Sequence, residues 1–531
     1  MVISPVKSSS LIAAAAVLAA ASAHAETVKF TVDATAAVTP ISRFIYGIND
    51  TIGGAKFPNL TARRGGGNRW TAYNWENNAS NAGSDYLYQN DDFFPGGNKP
   101  GGAIIPLAKN ASANKAGLLL TVPIQGYVAA DKKGDGDVRD SGPNYLKKRF
   151  HQERAAKGSA FTLTPDRNDK FVYQDEFVNW VTTNYPYGQT DPMRPIWFSL
   201  DNEPDLWAET QAEVHPDAPT YAEMISKTTA FTKAIKAVAP DALTFGPVSY
   251  GWYGYVRLQG APDAGDRDFL SFYLKKMKSK STAAGIRLLD VLDLHWYPEV
   301  RVGDYHNGTP ITGTNTSPAV VEARIQAPRS LWDSTYIENS WITHDWLGDK
   351  PITLIPLMLD KIAHNYPNTK LAFTEYDYGG GHDISGGIAQ ADVLGIFGKY
   401  GVFAAMQWPL RGGETYVAGA FKMYRDFDGN NGSFGDISVK AATSSVPDTS
   451  VYASLDSTDA TRMVIVAINK TDHAITGAFT VKHKPMTNGA AYTLTSASAT
   501  PAANGNFAVA GGKFNYTLPA YSVSTLLLSA P

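Results

Sequence analysis

Eight short segments that favour β-structure recur along the chain, and each ends in a cluster of polar and aromatic residues. They span residues 44–49, 62–70, 118–127, 196–204, 243–251, 291–298, 370–378 and 403–408. Runs of this length and composition predict buried strands. Because eight parallel strands close a (β/α)8 barrel, the pattern predicts an α/β protein built on a TIM-like barrel.

Apolar residues between these segments repeat at helical spacing. The longest such run contains Tyr221, Met224, Ile225, Thr228, Phe231, Ile235 and Val238, and it stops before Pro240. Further runs lie within residues 171–181, 269–277, 357–362 and 393–397. A proline cannot continue a helix, because it lacks the N–H and its ring clashes with the preceding turn. We therefore expect helices that pack outside the barrel.

The composition changes after about Tyr424. Helical periodicity fades, and alternating runs at residues 463–469, 477–482 and 516–528 are separated by Gly, Asn, Thr and Pro. This pattern is typical of an antiparallel β-sandwich. Residues 28–34 alternate as well, so we expect this strand to pair with the C-terminal sheet. The predicted division is a barrel at residues 44–424 and a sandwich built from both chain ends, residues 26–43 and 425–531.

The first 25 residues have the features of a secretory signal peptide. Lys7 precedes an apolar run at residues 11–21, and Ala23 and Ala25 are the small residues of a cleavage site. A membrane anchor is the less favoured alternative, because the run is shorter than the roughly 20 residues that a spanning helix needs. We expect cleavage after Ala25 and a secreted or periplasmic protein without a membrane segment.

Charge and composition exclude several classes of protein. Lys and Arg total 47 against 50 Asp and Glu, so the chain has no basic field for nucleic acid. It has no cysteine, which excludes disulfides, thiol nucleophiles and cysteine-based metal sites. The histidines lack zinc-binding spacing. Asp131, Asp135 and Asp137 resemble part of a calcium loop without its closing Glu, and we favour a solvated acidic loop.

Two glutamates follow strands on opposite sides of the predicted barrel. Glu203 ends the fourth segment and Glu375 ends the seventh. Functional groups of such barrels lie at the C-terminal ends of the strands, where these two carboxylates can face each other. Two opposed carboxylates are the equipment for cleaving a glycosidic bond, one as a proton donor and one as a nucleophile or base. The alternative without a catalytic role is that each Glu caps a helix or pairs with a surface Lys.

The neighbouring residues suggest the role of each carboxylate. Asn202 can bond a sugar 2-hydroxyl beside an acid/base Glu203. Arg64 and Tyr297 end the second and sixth segments and can supply donors to a nucleophilic Glu375, which would need a low pKa. His295 also lies at a strand end. It either contacts substrate or is a histidine at the barrel rim that forms its hydrogen bonds within the protein.

Aromatic residues make up 11% of the chain and are frequent at the predicted strand ends. The rings at or just beyond these ends are Trp70, Tyr73, Trp75, Trp252, Tyr253, Trp296, Tyr297 and Trp408. The C–H faces of a glucan stack on such rings, so we expect them to line a polysaccharide cleft, with Trp75 and Trp408 as substrate contacts. Trp180 and Trp197 lie within periodic elements and are predicted to be core.

The segment at residues 64–86, RGGGNRWTAYNWENNASNAGSDY, together with SLDNEP, DLHWYP and FTEYDYGGG, resembles glycoside hydrolase family 44. The resemblance implies a retaining endo-β-1,4-glucanase acting on xyloglucan and carboxymethylcellulose-type glucans, with Glu203 as acid/base and Glu375 as nucleophile. It places Asn202 and Trp408 at supporting positions. We expect Asn68 to be a further substrate-binding or supporting residue. The resemblance implies no organic cofactor, and it implies a structural calcium ion for which the sequence identifies no ligands.

Other functions stay open at this stage. A β-1,4-xylanase or mannanase would use the same carboxylate pair. A noncatalytic carbohydrate-binding protein is the alternative from a different class, although binding alone requires neither Glu203 nor Glu375. We expect a monomer, and we expect the sandwich to support the barrel rather than to bind glycan.

Overall fold

The computed structural model describes residues 26–49, 57–409 and 413–530. Its centre is a closed barrel of eight parallel strands. These strands are Gly47–Asn49, Ala62–Gly65, Gly117–Val122, Ile196–Leu200, Thr244–Ser249, Val291–Trp296, Lys370–Tyr376 and Ala404–Gln407. Each of the eight predicted segments overlaps one of them, so the prediction of a TIM-like barrel is confirmed.

The barrel strands follow one another around the barrel in chain order. The eighth strand pairs with the first through Met406 and Gly47, which closes the ring. Since all eight strands run in parallel, their C-terminal ends meet at one rim. This topology brings the ends of the fourth and seventh strands to the same face, although 172 residues separate Glu203 from Glu375 in the sequence.

Helices cover the outside of the barrel. The longer ones are Ile104–Ala113, Gln174–Asn184, Tyr221–Val238, Phe269–Ala284, Pro318–Gln326, Leu354–Asn365, Ile384–Tyr400 and Thr415–Arg425. Thr220 caps the helix Tyr221–Val238 by accepting from the Glu223 N–H at 3.0 Å, and the helix ends before Pro240 as predicted. One boundary differs from the prediction, because Phe171 lies in a short strand, Phe171–Tyr173, that precedes the next helix.

The C-terminal part of the chain forms a β-sandwich. Its strands are Ile437–Thr443, Thr449–Leu455, Arg462–Asn469, Ile475–Lys482, Asn488–Thr495, Ser498–Ala508, Lys513–Leu518 and Ser522–Ser529. The predicted run at residues 516–528 is two strands rather than one, because the chain turns between Leu518 and Ser522. The strand Ile437–Thr443 belongs to both layers, since its first half pairs with Thr449–Leu455 and its second half with the N-terminal strand.

The N-terminal strand Thr27–Asp33 completes the sandwich. It is antiparallel to Ile437–Thr443 and parallel to Ile475–Lys482, so the second layer is mixed rather than purely antiparallel. Alternate residues Val28, Phe30 and Val32 are buried in the core between the two layers. The sandwich is therefore built from both chain ends, as the sequence predicts. The exact domain boundaries at residues 43 and 424 stay a prediction.

A buried ion pair lies between the barrel and the sandwich. Asp392, on the helix Ile384–Tyr400, is 2.7 Å from the Lys470 ammonium, and both side chains are 1% exposed. The Tyr452 hydroxyl donates to the same carboxylate at 2.5 Å. Nearby, a Cβ at Gly395 would lie 2.2 Å from the Tyr452 ring, so the helix and the sheet are in direct contact. The two units are thus joined by charge and by close packing.

No helix among the described residues is long and apolar enough to cross a membrane. The signal peptide that we predict at residues 1–25 lies outside the described residues.

The buried pair yields a stability prediction. In Lys470→Met, the Asp392 carboxylate stays buried without its counter-charge, and we expect the free energy of unfolding to fall by about 3 to 5 kcal/mol. Chemical denaturation measures this loss. The exposed Lys513→Met in the same domain is the matched control and should change stability by about 0.5 kcal/mol or less. If Lys470→Met is as stable as the control, the ion pair does not hold the junction.

Candidate active site

Two glutamates face each other at the C-terminal rim of the barrel. Glu375 lies near the end of the seventh strand, in register with His295 of the sixth strand. Glu203 follows the fourth strand, which ends at Leu200. One carboxylate oxygen of each glutamate and one ring nitrogen of His295 all lie within 4.8 Å of one another. The structure therefore brings the two predicted catalytic carboxylates together around one imidazole.

Both carboxylate oxygens of Glu375 accept hydrogen bonds. Arg64 Nη1 donates to Oε1 at 2.6 Å, and the Tyr297 hydroxyl donates to Oε2 at 2.8 Å. The Arg64 side chain is fully buried and that of Glu375 is 6% exposed. These contacts hold the carboxylate in one orientation, and the guanidinium compensates its charge. An oriented, charge-compensated carboxylate is suited to attack an anomeric carbon.

Glu203 has a different environment. Its Oε1 lies 2.7 Å from His295 Nδ1, and 19% of its side chain is open to the cleft. Burial raises the pKa of Glu203 to about 7. Burial also lowers the pKa of His295 to about 3, so the imidazole is neutral at ordinary pH. The carboxyl group is therefore protonated below about pH 7 and can donate a proton to substrate.

Arg64 connects the parts of the site. Besides Glu375, its Nη1 donates to Asn49 Oδ1 at 3.0 Å, and its Nη2 donates to Asn202 Oδ1 at 2.7 Å. The Asn202 oxygen also accepts from the Gly67 N–H at 3.0 Å. With its oxygen committed to these two donors, the Asn202 amide directs its own N–H groups elsewhere, where they can meet a sugar hydroxyl.

Two glycines after Arg64 allow this arrangement. A Cβ at Gly66 would lie 2.2 Å from Arg64 Cζ. A Cβ at Gly67 would lie 2.5 Å from the Trp408 ring, and Gly67 has a φ of 97°, which other residues rarely adopt. The glycine run therefore lets the backbone approach both the guanidinium and the indole. Trp408 is half-buried beside Gly67, as a ring contacting substrate at this rim would be.

Most of the aromatic residues predicted to line the cleft are instead part of the core. Trp75 is 1% exposed and packs against Phe177 and Trp180 at centroid distances of 6.0 and 6.3 Å, so its predicted role as a substrate contact is wrong. Trp70, Tyr73, Trp252 and Trp296 are also buried. The rings that stay partly exposed are Tyr253, Tyr297 and Trp408. A strand end places a ring near the rim, but the loops that follow decide whether it faces solvent.

Asn68 is bonded within the protein. Its Oδ1 accepts from Gln211 Nε2 at 2.6 Å, and its Nδ2 donates to the Ala82 carbonyl at 3.3 Å. These bonds join the loop after the second strand to two neighbouring loops. Asn68 therefore has a supporting position beside the cleft.

The cluster of Glu203, His295 and Glu375 does not resemble a cation site. Glu203, His295 and Glu375 form the one set of three or more acidic or imidazole side chains in the described residues whose ligand atoms are close enough to share a metal ion. Arg64, however, places a positive charge 2.6 Å from Glu375. This charge opposes a cation at the same point, so the donor set fits proton transfer and nucleophilic attack better than metal binding.

The acidic loop at residues 131–137 is ion-paired. Asp131 and Asp135 lie 2.7 and 2.8 Å from Arg149 nitrogens, and Asp137 pairs with Arg139. Calcium requires six to eight oxygen ligands that are not already engaged. These aspartates therefore do not fit a calcium site.

Two supporting residues were not identified from the sequence. Asn49 ends the first barrel strand and donates to the carbonyls of Thr374 and Met406 at 2.8 and 3.2 Å while accepting from Arg64. Asn49 ends the first predicted segment, and this position could have identified it as a site residue from the sequence. Asp201 had no comparable signal, because its role depends on tertiary contacts.

Asp201 holds the backbone that carries Glu203. Both residues have left-handed conformations, with φ values of 69° and 46°. The Asp201 carboxylate accepts from the Ile124 N–H at 2.6 Å and from the Asn202 N–H at 2.8 Å. Non-glycine residues persist in such conformations only when surrounding contacts hold them. Asp201 therefore positions both Asn202 and Glu203.

A parallel (β/α)8 barrel with two opposed carboxylates at its rim, one of them oriented by Arg64 and Tyr297, is the arrangement of a glycoside hydrolase that uses two carboxylates. Residues 79–300 match the profile of Glycoside hydrolase family 44. The chain is 40% identical over 534 residues to Endoglucanase A of Paenibacillus lautus, an alignment that covers 96% of this chain and 74% of that protein. The chain therefore belongs to glycoside hydrolase family 44, and the resemblance noted from its motifs is confirmed.

Two further comparisons support the same family assignment. The chain is 42% identical over 467 residues to Beta-mannanase/endoglucanase A of Caldicellulosiruptor saccharolyticus, covering 83% of this chain but 34% of that protein. The structure matches that of a Paenibacillus polymyxa xyloglucanase from the same family, solved with xyloglucan, at a TM-score of 0.89 and 38% identity, covering 95% of this chain and 100% of the other. The barrel and sandwich together are thus the architecture of this family.

The contacts of Asp201 yield a prediction. Asp201→Asn keeps the size of the side chain but turns one acceptor into a donor that faces a backbone N–H. We expect Glu203 to lose its position and turnover to fall by up to about 100-fold, since small displacements of catalytic groups have effects of this size. Initial rates of the purified variant measure the loss.

Asp241→Asn is the matched control, because Asp241 is an exposed residue in the loop before the fifth strand. Far-ultraviolet circular dichroism should show both variants folded. Wild-type turnover in Asp201→Asn would contradict the positioning role.

Proposed function

We propose that this protein is a retaining endo-β-1,4-glucanase that hydrolyses internal bonds of xyloglucan and cellulosic glucans. The observation that carries the proposal is the Glu203 and Glu375 pair, since a carboxylate oxygen of one lies within 4.8 Å of a carboxylate oxygen of the other. Retaining glycosidases hold their carboxyl groups about 5 to 5.5 Å apart, whereas inverting ones leave about 6.5 to 9.5 Å for a water. The short separation supports direct attack by one carboxylate.

In the first step, Glu375 attacks the anomeric carbon and forms a glycosyl ester. The bond to the leaving glucan breaks, and Glu203 gives its proton to the departing oxygen. The buried position of Glu203, which raises its pKa to about 7, keeps that proton available. Arg64 and Tyr297 hold the attacking carboxylate in place through their 2.6 and 2.8 Å bonds.

In the second step, Glu203 acts as a base. It takes a proton from a water molecule, whose oxygen attacks the anomeric carbon of the ester. The bond to Glu375 breaks, which restores both carboxyl groups to their starting states. Two displacements invert the anomeric centre twice, so the product keeps the β-configuration. No organic cofactor is needed for either step.

The alternative activities are hydrolysis of β-1,4-xylan and of mannan. One relative carries both mannanase and endoglucanase in its name, but this chain spans about a third of that protein. A noncatalytic glycan-binding role is less favoured, since it gives no reason to engage both Glu375 oxygens with donors from Arg64 and Tyr297. Reducing-end release from xyloglucan, carboxymethylcellulose, xylan and mannan separates these functions. Cleavage of xylan or mannan alone would overturn the glucanase proposal.

The setting of the enzyme is also part of the proposal. The predicted signal peptide supports a secreted or periplasmic location, where polysaccharide substrates occur. Both carboxylates and the donors that bond them come from one chain, which supports action as a monomer. A structural calcium ion stays an expectation from the family resemblance, without assigned ligands.

The first functional prediction assigns the two carboxylates by azide rescue. Glu203→Ala should lose about 100- to 10,000-fold in turnover of glucan, and Glu375→Ala should lose nearly all of it. With a dinitrophenyl β-cellobioside as substrate, azide should restore the turnover of Glu203→Ala. The product should be the β-glycosyl azide, because azide replaces water in the second step. Azide should yield the α-glycosyl azide with Glu375→Ala. Nuclear magnetic resonance of the products distinguishes the two.

Glu209→Ala is the matched control, since Glu209 is exposed and lies six residues beyond Glu203. It should retain near wild-type turnover without azide. If the two azide products are exchanged between the variants, the roles of Glu203 and Glu375 are reversed.

The second functional prediction concerns pH. Because Glu203 must carry a proton and burial raises its pKa to about 7, kcat/KM should fall as pH rises through about 7. Well above that value the fall should approach about tenfold per pH unit. Rates on a neutral cello-oligosaccharide between pH 5 and 9 measure this fall in kcat/KM. The fall should be absent when Glu203→Gln acts on an aryl glycoside whose leaving group needs no acid.

A further inference from the structure

A pocket lies at the face of the barrel opposite Glu203 and Glu375. Its volume is about 380 Å³, within the range of pockets that hold small ligands, about 300 to 1,000 Å³. Among its lining residues, Arg43 precedes the first barrel strand, Thr61 directly precedes the second and Lys115 precedes the third. Because the strands are parallel, the pocket lies at their N-terminal ends, away from the rim. We call it the basal pocket.

The basal pocket is positively charged. Nine described residues line it, of which Arg43, Lys115 and Arg425 are cations and none is acidic. In the part of the chain that the structure describes, none of these three cations forms a salt bridge. Burial lowers the pKa of Arg43, and the neighbouring charge of Arg425 lowers it further, by more than Asp191 raises it. Asp191 is itself paired with Arg194 at 2.7 Å, so the charge of the pocket is left uncompensated.

Arg425, the last residue of the helix Thr415–Arg425, offers the strongest unoccupied donors. Its Nε donates to the Asn59 carbonyl at 3.4 Å, and its guanidinium lies over the Tyr46 ring, 4.9 Å from the centroid. These contacts orient the guanidinium. Its two terminal nitrogens have no hydrogen-bond partner among the described residues. A guanidinium with both terminal nitrogens free can bind a carboxylate through two parallel N–H bonds.

Three further lining residues have free donors. Lys115 is exposed, and its ammonium has no partner in the described ranges. Asn431 Oδ1 accepts from Asn59 Nδ2 at 2.9 Å, which leaves the Asn431 amide N–H groups free, and the Ser433 hydroxyl has no described partner either. Arg43, by contrast, is already bonded, because it donates to two backbone carbonyls at 3.0 and 2.8 Å. It contributes charge, whereas the other residues have hydrogen bonds to offer.

The arrangement of these donors favours an organic anion that also carries hydroxyls. A single inorganic ion is bound best by donors that converge on one point, whereas these donors are spread over two loops and the end of a helix. Neutral amide and hydroxyl groups beside a guanidinium match a sugar acid, whose ring bears hydroxyls as well as a carboxylate. A uronate residue can place its carboxylate against Arg425 and Lys115. Its ring hydroxyls can then bond Asn431 and Ser433.

We propose that the basal pocket binds a uronate residue of an acidic polysaccharide. The site goes beyond the proposed glucanase function, because it lies on the face away from Glu203 and Glu375 and no bond is broken there. An acidic polysaccharide held at this face leaves the rim open to glucan. The pocket thus attaches the enzyme to uronate-containing material while it hydrolyses a neutral polysaccharide nearby.

The test is titration calorimetry of the full chain with methyl α-galacturonide, and methyl α-galactoside is the neutral comparison. We expect the galacturonide to bind and the galactoside not to bind. Arg425→Gln should weaken binding about tenfold or more, the effect of losing a charge-assisted hydrogen bond. Lys115→Gln, at an exposed position, should weaken it about threefold. Lys109→Gln is the matched control, since Lys109 is exposed on the helix Ile104–Ala113 outside the pocket lining, and it should bind as the wild type does.

Other outcomes overturn the proposal in distinguishable ways. Inorganic phosphate that binds as tightly as the galacturonide, with the same loss in Arg425→Gln, would mean an anion site without preference for sugars. Equal binding of the galactoside would mean that charge plays no part, and wild-type affinity in Lys115→Gln and Arg425→Gln would place the galacturonide elsewhere. Thermal unfolding verifies that each variant is folded, and Lys115→Gln decides the question if Arg425→Gln does not fold. None of these results depends on glucan hydrolysis, so they leave the proposed function untouched.

Discussion

The buried Arg64 guanidinium is the interaction on which the site depends. It contacts Asn49 on the first barrel strand, Glu375 on the seventh and Asn202 after the fourth. A fully buried cation is stable only when its charge is compensated, and both terminal nitrogens of Arg64 are also hydrogen-bonded. The requirement to satisfy Arg64 therefore draws residues from distant parts of the chain to one point, and Gly66 leaves the space in which the guanidinium lies.

The two carboxylates have different surroundings, which suit them to different chemistry. Glu375 accepts from a cation and a phenol, whereas Glu203 has as its polar partner an imidazole that burial keeps neutral. Burial without a compensating cation favours the protonated acid, which is why the pKa of Glu203 is raised. Compensation of a buried carboxylate by a cation, as in the Arg64 and Glu375 pair, recurs away from the site. There, Lys470 compensates Asp392 at the junction with the sandwich.

Much of this could be predicted from the sequence because it depends on local pattern. The eight barrel strands are short β-rich runs, and their spacing left room for helices between them. Glu203, Glu375, Arg64 and Tyr297 were named as candidates because each lies at or near the end of such a run. Trp75 was misplaced by the same reasoning, since its ring turns inward against Phe177 and Trp180. Asp201 was not found because its role lies in backbone contacts between loops.

The sequence by itself determined the fold class, because periodicity is a property of neighbouring residues, and its motifs identified the family. Strand-end position is also a local property, so the candidate carboxylate pair could be named from it. Only the tertiary structure decided which rings face the cleft and how each of the two carboxylates is surrounded. Each of these depends on burial, and burial is set by the loops and helices that pack over a residue. Those elements come from other parts of the chain, so no local pattern records them.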